Sequence, residues 1–284
     1  MHQTRGQVAG GDPKISVCMA FRDGDDFIRE AVDSVLAQSS AEWELLLFDD
    51  GSGDGGTAYA QELAAPDPRV RYAQHPGQVN RGLAATRVAC AAQARGEYLL
   101  FLDHDDRLWG DALERLAAVL DAQPAAAAVF AAARWWYGRD DHPKNADQSY
   151  LPWRSGMMHG RRVLRHMLLR DRPHPCVHAT MFRRAEYIAA STSGPLREMI
   201  FEDAALLYKL LTRRDIYLLD EVVADYRIRT NSMSYTQDSR MAPFLRWVWR
   251  ELPLDRISRA CIPVRLAILP LVPWWHRLRR RPVI

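Results

Sequence analysis

The sequence predicts an α/β fold, a mostly parallel central sheet flanked by helices. Three observations predict it. Over roughly 110 residues, short apolar runs alternate with segments of three- and four-residue periodicity, strand then helix four times in succession. Two of the apolar runs end in acidic clusters, Asp49-Asp50 and Asp103-His104-Asp105-Asp106, and an open α/β sheet binds its ligands beyond the carboxyl ends of its strands. The composition is that of a globular chain, with 284 residues of which 48% are hydrophobic and 26% charged, so a sizeable core can be buried.

Each element follows in turn. Residues 15–20 (ISVCMA) form a short apolar run that reads as a central strand. After a polar turn (FRDGDD), Phe27, Ile28, Ala31, Val32, Val35 and Leu36 recur at helical spacing, with Asp25 or Asp26 available as a cap. The run 44–48 (ELLLF) is a second strand, 56–64 a helix and 70–74 a third strand. A small-residue helix over 82–94 leads to the strand 97–102 (EYLLFL), and a helix over 111–122 stops before Pro124. The second half is less regular. Residues 125–133 are a strand or a helix, and Trp135-Trp136-Tyr137-Gly138 opens a long polar stretch to Trp153 that reads as a substrate loop. Helices are expected over 161–169 and 202–211, and a strand over 215–224.

The four cysteines (Cys18, Cys90, Cys176, Cys261) form no CxxC pair and lie in or beside apolar runs, which points to buried reduced thiols in a cytosolic protein. The polar start of the chain lacks the apolar core of a signal peptide, and no run of about eighteen apolar residues reads as a membrane span. A cytoplasmic location is therefore expected. The net charge of +3 is unevenly spread. Residues 240–284 hold ten arginines against Glu251 and Asp255, a net +8, which leaves −5 for the rest. That acidic body, with no recognition motif, argues against nucleic-acid binding. Arginines beside Trp247, Trp249, Trp274 and Trp275 suit the surface of an anionic membrane; the alternative is helices packed on the main domain. Pro263, Pro270 and Pro273 are expected to break this stretch into short helices.

Among candidate sites the strongest is Asp103-His104-Asp105-Asp106. Alternate carboxylates at a strand end can present oxygens to a hard divalent cation that also takes phosphate oxygens. Asp49-Asp50-Gly51-Ser52-Gly53 joins a strand-end carboxylate to glycines that permit close approach, suited to a base or sugar contact, though such a turn also caps helices. Glu202-Asp203 opens a helix, where capping is the default role and a general base the alternative. His174 and His178 (HPCVH) have ligand-like spacing, but beside proline a loop is the simpler reading than zinc. No phosphate loop, GxGxxG, GxSxG or HExxH motif is present.

Together these pieces resemble family 2 glycosyltransferases of the GT-A fold. The resemblance is carried by ISVCMAFRDGDDFIREAVDSVLAQSSAEWELLLFDDGSGDGG, by Asn80-Arg81-Gly82 through Arg87, by ARGEYLLFLDHDD, by the FEDAALLYKL segment and by Tyr226-Arg227-Ile228-Arg229 to Ser234. It covers roughly residues 14–235. It implies a Rossmann-like sheet and divides the chain into a flexible start (1–13), a GT-A domain (14–235) and a basic amphipathic extension (236–284). Within that domain, 14–123 would bind the nucleotide sugar and 124–235 the acceptor.

The implied reaction moves a sugar, with inversion, from a UDP-, dTDP- or GDP-linked donor to the hydroxyl of a saccharide or lipid-linked acceptor, as in cell-surface polysaccharide or glycolipid assembly. Ala20, Phe21, Arg22, Asp23, Asp50, Arg81, Asp103 and His104 would line the donor site. Asp105, with Asp103, would hold Mg2+ or Mn2+. Asp203 would be the general base, with Glu202 beside it. Where many relatives place an aromatic residue after the first strand this chain has Arg22, whose planar guanidinium can also stack on a base. Arg229 stands where relatives often have histidine; it either grips a phosphate or lies at the surface. A sugar nucleotidyltransferase is a rival, but its basic glycine-rich loop is replaced here by the acidic FRDGDD. A non-catalytic binding module would be expected to lose Asp105 or Asp203, and both are present.

Overall fold

A computed structural model of the chain describes residues 12–24, 27–148, 153–169, 176–192, 202–229 and 241–268. The first half follows the expected alternation: β1 (Ile15–Phe21), α1 (Ile28–Leu36), β2 (Trp43–Asp49), α2 (Gly56–Ala64), β3 (Val70–Gln74), α3 (Leu83–Gln93) and β4 (Tyr98–Phe101). After it come β5 (Arg107–Leu108), α4 (Ala112–Ala122), β6 (Ala128–Trp136), β7 (Ala146–Gln148), β8 (Gly156–Met158) and α5 (Gly160–Leu169). The chain continues through β9 (Thr180–Arg183), α6 (Arg184–Ser191), α7 (Glu202–Leu211), β10 (Ile216–Arg227), α8 (Met241–Glu251) and α9 (Arg256–Ile268).

One sheet runs β3-β2-β1-β4-β9-β6-β10-β5, with β7 added to β6 and β8 to β10. β1 pairs in parallel with β2 and β4, and β2 with β3. β9 runs antiparallel to both β4 and β6 and so joins the parallel half to the second half. Alternation along each strand sends side chains to two cores. Val17, Met19, Tyr98 and Leu100 face α1 and α4, whereas Cys18, Leu99 and Phe101 face the layer of α3, α5 and α7. Parallel strands covered on both faces are mostly apolar, and β1 and β2 are buried along their whole length, with the buried Ser16 donating to Glu44 between them.

Several expectations are corrected. α1 starts on Phe27 as N-cap with no side-chain cap bond; Asp25 and Asp26 lie outside the described residues. Residues 128–136 are strand, and Trp135-Trp136 end it rather than open a loop. The following 137–145 segment is braced by Asn145, which accepts from the Tyr137 amide and donates to the carbonyls of Arg139 and Asp140. β9 and α6 carry no sequence forecast. α9 continues through Pro263 instead of breaking there. Arg259, whose carbonyl loses its partner to that proline, is itself exposed, so water can satisfy it.

The helices of the basic extension pack on the body: Phe244, Leu245, Val248, Leu252, Cys261 and Ile262 enter the same core as α5 and α7. Asp255 fastens α9 by ion pairs to Arg161 and Arg165 of α5. Trp247 and Trp249 pack against that core, while Trp274 and Trp275 lie outside the described residues. The four cysteines are free. No helix among the described residues is long and apolar enough to cross a membrane.

Candidate active site

The carboxyl ends of β1, β2 and β4 converge. At the end of β1, Ala20 and Phe21 are buried in the strand, with the Phe21 side chain in the core. Arg22 and Asp23 follow on the exposed turn and pair with each other at 3.5 Å. Asp23 adopts φ +50°, held there because its carboxylate accepts from the Gly53 amide at 2.8 Å and its own amide donates to Ser52 Oγ. The two strand-end turns are thereby tied together.

The two aspartates after β2 have separate partners. Asp49 accepts from the Ser52 amide, Thr57 Oγ1 and Tyr72 Oη. Burial, with Asp49 beside it, pushes the Tyr72 phenol up to about 12. Asp50 is buried and accepts from the backbone amides of Arg81 at 2.7 Å and Gly82 at 3.0 Å, so it shapes the turn that opens α3. Arg81 itself is exposed. Gly51 sits at φ +79°, and a Cβ there would meet the Gln78 carbonyl oxygen at 2.8 Å; the DDGS turn therefore needs glycine.

The carboxylates of the 103–106 loop point to three different partners. Asp103 pairs with Arg87 of α3, and Arg87 Nη1 also donates to Glu202 Oε1 at 2.7 Å, at the start of α7. One buried guanidinium thus bridges the end of β4 to the Glu202-Asp203 pair. Burial opposes ionisation of Asp103, but Arg87, His178 and His104 outweigh it and hold the carboxyl below its usual range. Burial dominates at Glu202, where Asp203 adds to it and Arg87 opposes it; its carboxyl is pushed up to about 7. Asp203 accepts from the Ala204 amide at 2.7 Å and borders a cavity of about 20 Å3, room for one water, with Arg87, Tyr187, Glu202 and Leu206. His104 packs against Gly24, where a Cβ would come within 2.8 Å of the imidazole.

Asp105 pairs with Arg229, and its carbonyl accepts from Arg227 Nε at 2.7 Å. Arg229 Nε is buried with no hydrogen-bond partner among the described residues. Asp106 is buried, accepts from the Arg227 amide at 2.8 Å, and lies 2.9 Å from His178 Nδ1. Burial raises the Asp106 carboxyl, with His178 opposing. At His178 burial opposes protonation, but Asp106 and Cys176 prevail and raise it well above its usual value.

Asp103, Asp106 and His178 present ligand atoms all within 4.8 Å of one another, close enough that one divalent cation could be held among them. The Asp106–His178 contact is too poorly aligned for a good hydrogen bond, so Asp106 Oδ2 and His178 Nδ1 are left in need of a better partner. Two carboxylates and an imidazole fit Mg2+ or Mn2+ as a donor set. Asp105 stands outside that triad, next to Asp106.

Arg87 and His178 emerge here as site residues. Sequence reading included Arg87 only as part of a motif, and set His178 in a loop; His174 lies outside the described residues. A signal for Arg87 existed. It occupies the buried stripe of α3 with Ala84, Cys90 and Ala91, where an arginine must have a partner.

Comparison with known proteins bears on this geometry. The profile described as Glycosyl transferase family 2 matches residues 16–188. The putative glycosyltransferase EpsE of Bacillus subtilis is 36% identical over 110 residues, 38% of this chain and 39% of that protein. The putative teichuronic acid biosynthesis glycosyltransferase TuaG of the same organism is 35% identical over 103 residues, covering 36% of this chain and 40% of that one. The chain thus spans about two-fifths of the length of these relatives. Among solved structures, Staphylococcus aureus TarS 1-349 superposes with a TM-score of 0.67 at 19% identity, covering 91% of this chain and 72% of that one. Mannosyltransferase PcManGT from Pyrobaculum calidifontis, in complex with GDP-Man and Mn2+, gives 0.63 at 17% identity, over 96% and 75% of the two chains. The fold is the GT-A fold.

Proposed function

The chain belongs to glycosyl transferase family 2, and from that premise we propose that it moves a sugar with inversion from a nucleotide-sugar donor to an acceptor hydroxyl. The observation that carries this reading is the Asp103–Arg87–Glu202 bridge, which sets the acidic end of β4 beside Asp203. Donors of this class appear in the neighbours, TarS with UDP-GlcNAc and PcManGT with GDP-Man. The name of TuaG, a putative teichuronic acid biosynthesis glycosyltransferase, supports a role in polysaccharide assembly, and the acceptor in this reading is a saccharide or a lipid-linked saccharide.

In this reading Asp203 accepts the proton of the acceptor hydroxyl as its oxygen attacks the anomeric carbon. The bond from that carbon to the diphosphate breaks on the opposite face, which inverts the centre. A positioned general base is worth roughly 100- to 10,000-fold in rate. Arg87 is a positioning residue that fixes Asp103 and Glu202 together. A divalent cation, when bound, offsets the charge that builds on the departing diphosphate. Asp103, Asp106 and His178 are placed to hold it, with Asp105 at their side. Arg229 has an unmet buried donor suited to a diphosphate oxygen, which its present partner Asp105 does not use. Arg22, Asp23, Arg81 and His104 are assigned to the rim of the donor site, with Asp50 holding the Arg81 turn.

We place the protein in the cytoplasm, with peripheral contact to an anionic membrane through 241–284. Ile257 and Val264 support that contact, exposed one above the other on α9 beside the exposed Arg256 and Arg259. Sedimentation with anionic against zwitterionic vesicles tests it, and equal pelleting with both would refute it.

The central test is calorimetric titration of UDP, GDP, dTDP and CDP with and without Mn2+, followed by turnover of the matching donor. One nucleotide is expected to bind in a metal-dependent way. Asp105→Ala is expected to weaken that binding, and Asp203→Asn to keep it while turnover falls by roughly 100- to 10,000-fold. Unchanged turnover in Asp203→Asn would remove the general-base assignment.

A further inference from the structure

On the opposite side of the 103–106 loop from Arg87, three charged residues form one row across neighbouring strands. The register pairs Asp225 of β10 with Arg134 of β6 on one side and with Arg107 of β5 on the other. Asp225 is buried and binds both guanidiniums: Arg107 Nε at 2.5 Å, Arg134 Nε at 2.7 Å and Arg134 Nη2 at 3.0 Å. Trp109 Nε1 donates to the same carboxylate at 3.2 Å, and the Arg107 guanidinium lies 3.9 Å over the Trp136 ring. Both arginines are therefore held rigidly from behind.

Arg107 Nη2 and Arg134 Nη2, the latter shared with Asp225, converge on one carboxylate, Asp140, supplied by the 137–145 loop. It pairs with Arg107, and with Arg134 at 2.9 Å, yet its side chain is 68% exposed. The group borders an open cleft of about 750 Å3 that also takes in Glu30, Ser34 and Trp109. That volume is within the range of small-ligand sites. The charges make the arrangement specific. Glu30 faces Arg107 at 3.4 Å and pairs with Arg227. Arg107, Arg134 and Arg227 are then balanced by Asp225, Glu30 and Asp140. Without Asp140, Arg107 and Arg134 keep only the buried Asp225 behind them, and their solvent-facing side loses its carboxylate partner.

We propose that the Arg107–Arg134 pair is a binding site for the carboxylate or phosphate of an acidic saccharide, with Asp140 as the resident group that such a ligand displaces. Two guanidiniums in fixed geometry match a planar carboxylate or a phosphate through paired charge-assisted bonds. The indole of Trp109 gives a sugar ring an apolar face to lie on, and Ser34 and Glu30 can bond its hydroxyls. An exposed ion pair such as Asp140–Arg134 contributes little, so exchange for an external anion is cheap. The cleft also reaches the catalytic loop. Glu30 bonds Arg107 on one side and Arg227 on the other, and Arg227 holds Asp105 and Asp106 through its side chain and amide. An acidic sugar bound here would sit one residue beyond Asp106, where part of a charged acceptor chain can lie. That the anion is borne by a sugar rests on the proposed function; that the pair binds an anion does not.

The test is a protein-observed 1H–15N NMR titration of the full chain with glucuronate, inorganic phosphate and uncharged glucose, on wild type, Asp140→Asn and Arg134→Gln. Each variant is first checked for a native thermal transition. Glucuronate is expected to bind wild type weakly and Asp140→Asn about fivefold more tightly, the worth of about 1 kcal/mol of displaced ion pair. Arg134→Gln is expected to lose that binding, and glucose to bind neither protein. Equal affinity in wild type and Asp140→Asn, retained binding in Arg134→Gln, or glucose binding as well as glucuronate would each overturn the proposal. Phosphate binding without glucuronate binding would overturn its saccharide part. The nucleotide titration above reads the donor site separately, so failure of one reading is distinguishable from failure of the other.

Discussion

Replacing Arg87 by methionine tests the bridge on which the site is built. The guanidinium is buried and serves Asp103 and Glu202 together, and its removal strands both carboxylates. Breaking a buried pair by removing one partner costs about 3–5 kcal/mol. Asp103 is partly exposed and can be rehydrated, so most of that cost falls on Glu202. The cost must depend on pH. The Glu202 carboxyl is already raised from 4.5 to about 7, so its protonated form belongs to the folded state. For a carboxyl whose folded pKa lies above its unfolded value, the stabilisation is fully present below the unfolded pKa. It is lost as pH rises through the folded pKa, at about 1.4 kcal/mol per unit. At about pH 5 Glu202 is therefore neutral in both proteins, and Arg87→Met loses only the Asp103 share, about 1–2 kcal/mol. At about pH 8 the variant must bury an unpaired charge or take up a proton against the solution, and the loss grows to about 4 kcal/mol. Urea unfolding in EDTA at the two pH values measures both numbers. Arg87→Lys, which keeps the charge but cannot reach two partners with a planar fork, is expected to fall between. A loss that is the same at both pH values, or below about 1 kcal/mol at the higher one, would refute the reasoning.

Two further outcomes follow from the same geometry. Glu202→Gln removes the raised carboxyl, so the fall of stability between about pH 5 and pH 7 should flatten; a slope equal to wild type in urea unfolding would place the titration elsewhere. Asp50→Ala frees the amides of Arg81 and Gly82 and should cost the nucleotide-free protein about 1–3 kcal/mol, read from its unfolding midpoint, whereas no change would mean that the carboxylate serves a ligand and not the turn.

The parallel half of the fold was legible because its signals are local. β1, β2 and β4 are apolar runs, and α1 and α4 bury residues at three- and four-residue spacing, so each element can be read without its neighbours. The second half depends on pairing. β5 is two residues long and exists because β10 lies beside it, and β9 is four residues wedged between β4 and β6. Runs that short have no periodicity to detect. Pro263 shows the same limit from the other side: a local breaker rule was overridden by packing of α9 on α5 and α8.

Within the site, position was legible and partnership was not. Strand-end geometry singled out the 103–106 loop, yet the sequence places its three aspartates within four residues and cannot say that they divide. Alternation explains the division. Asp103 continues the direction of β4 and meets Arg87 on the α3 side of the sheet, whereas Asp106 has turned towards Arg227 and His178, more than 70 residues downstream. Asp105 between them faces Arg229. One tetrapeptide thereby touches α3, the 177–179 turn and the end of β10, three segments that share no local signal. The same loop is where the Glu202-Asp203 side and the Arg107–Arg134 side of the sheet come closest in sequence. A change in any one of its three partnerships has to be felt by the other two, because the backbone that links them is only four residues long.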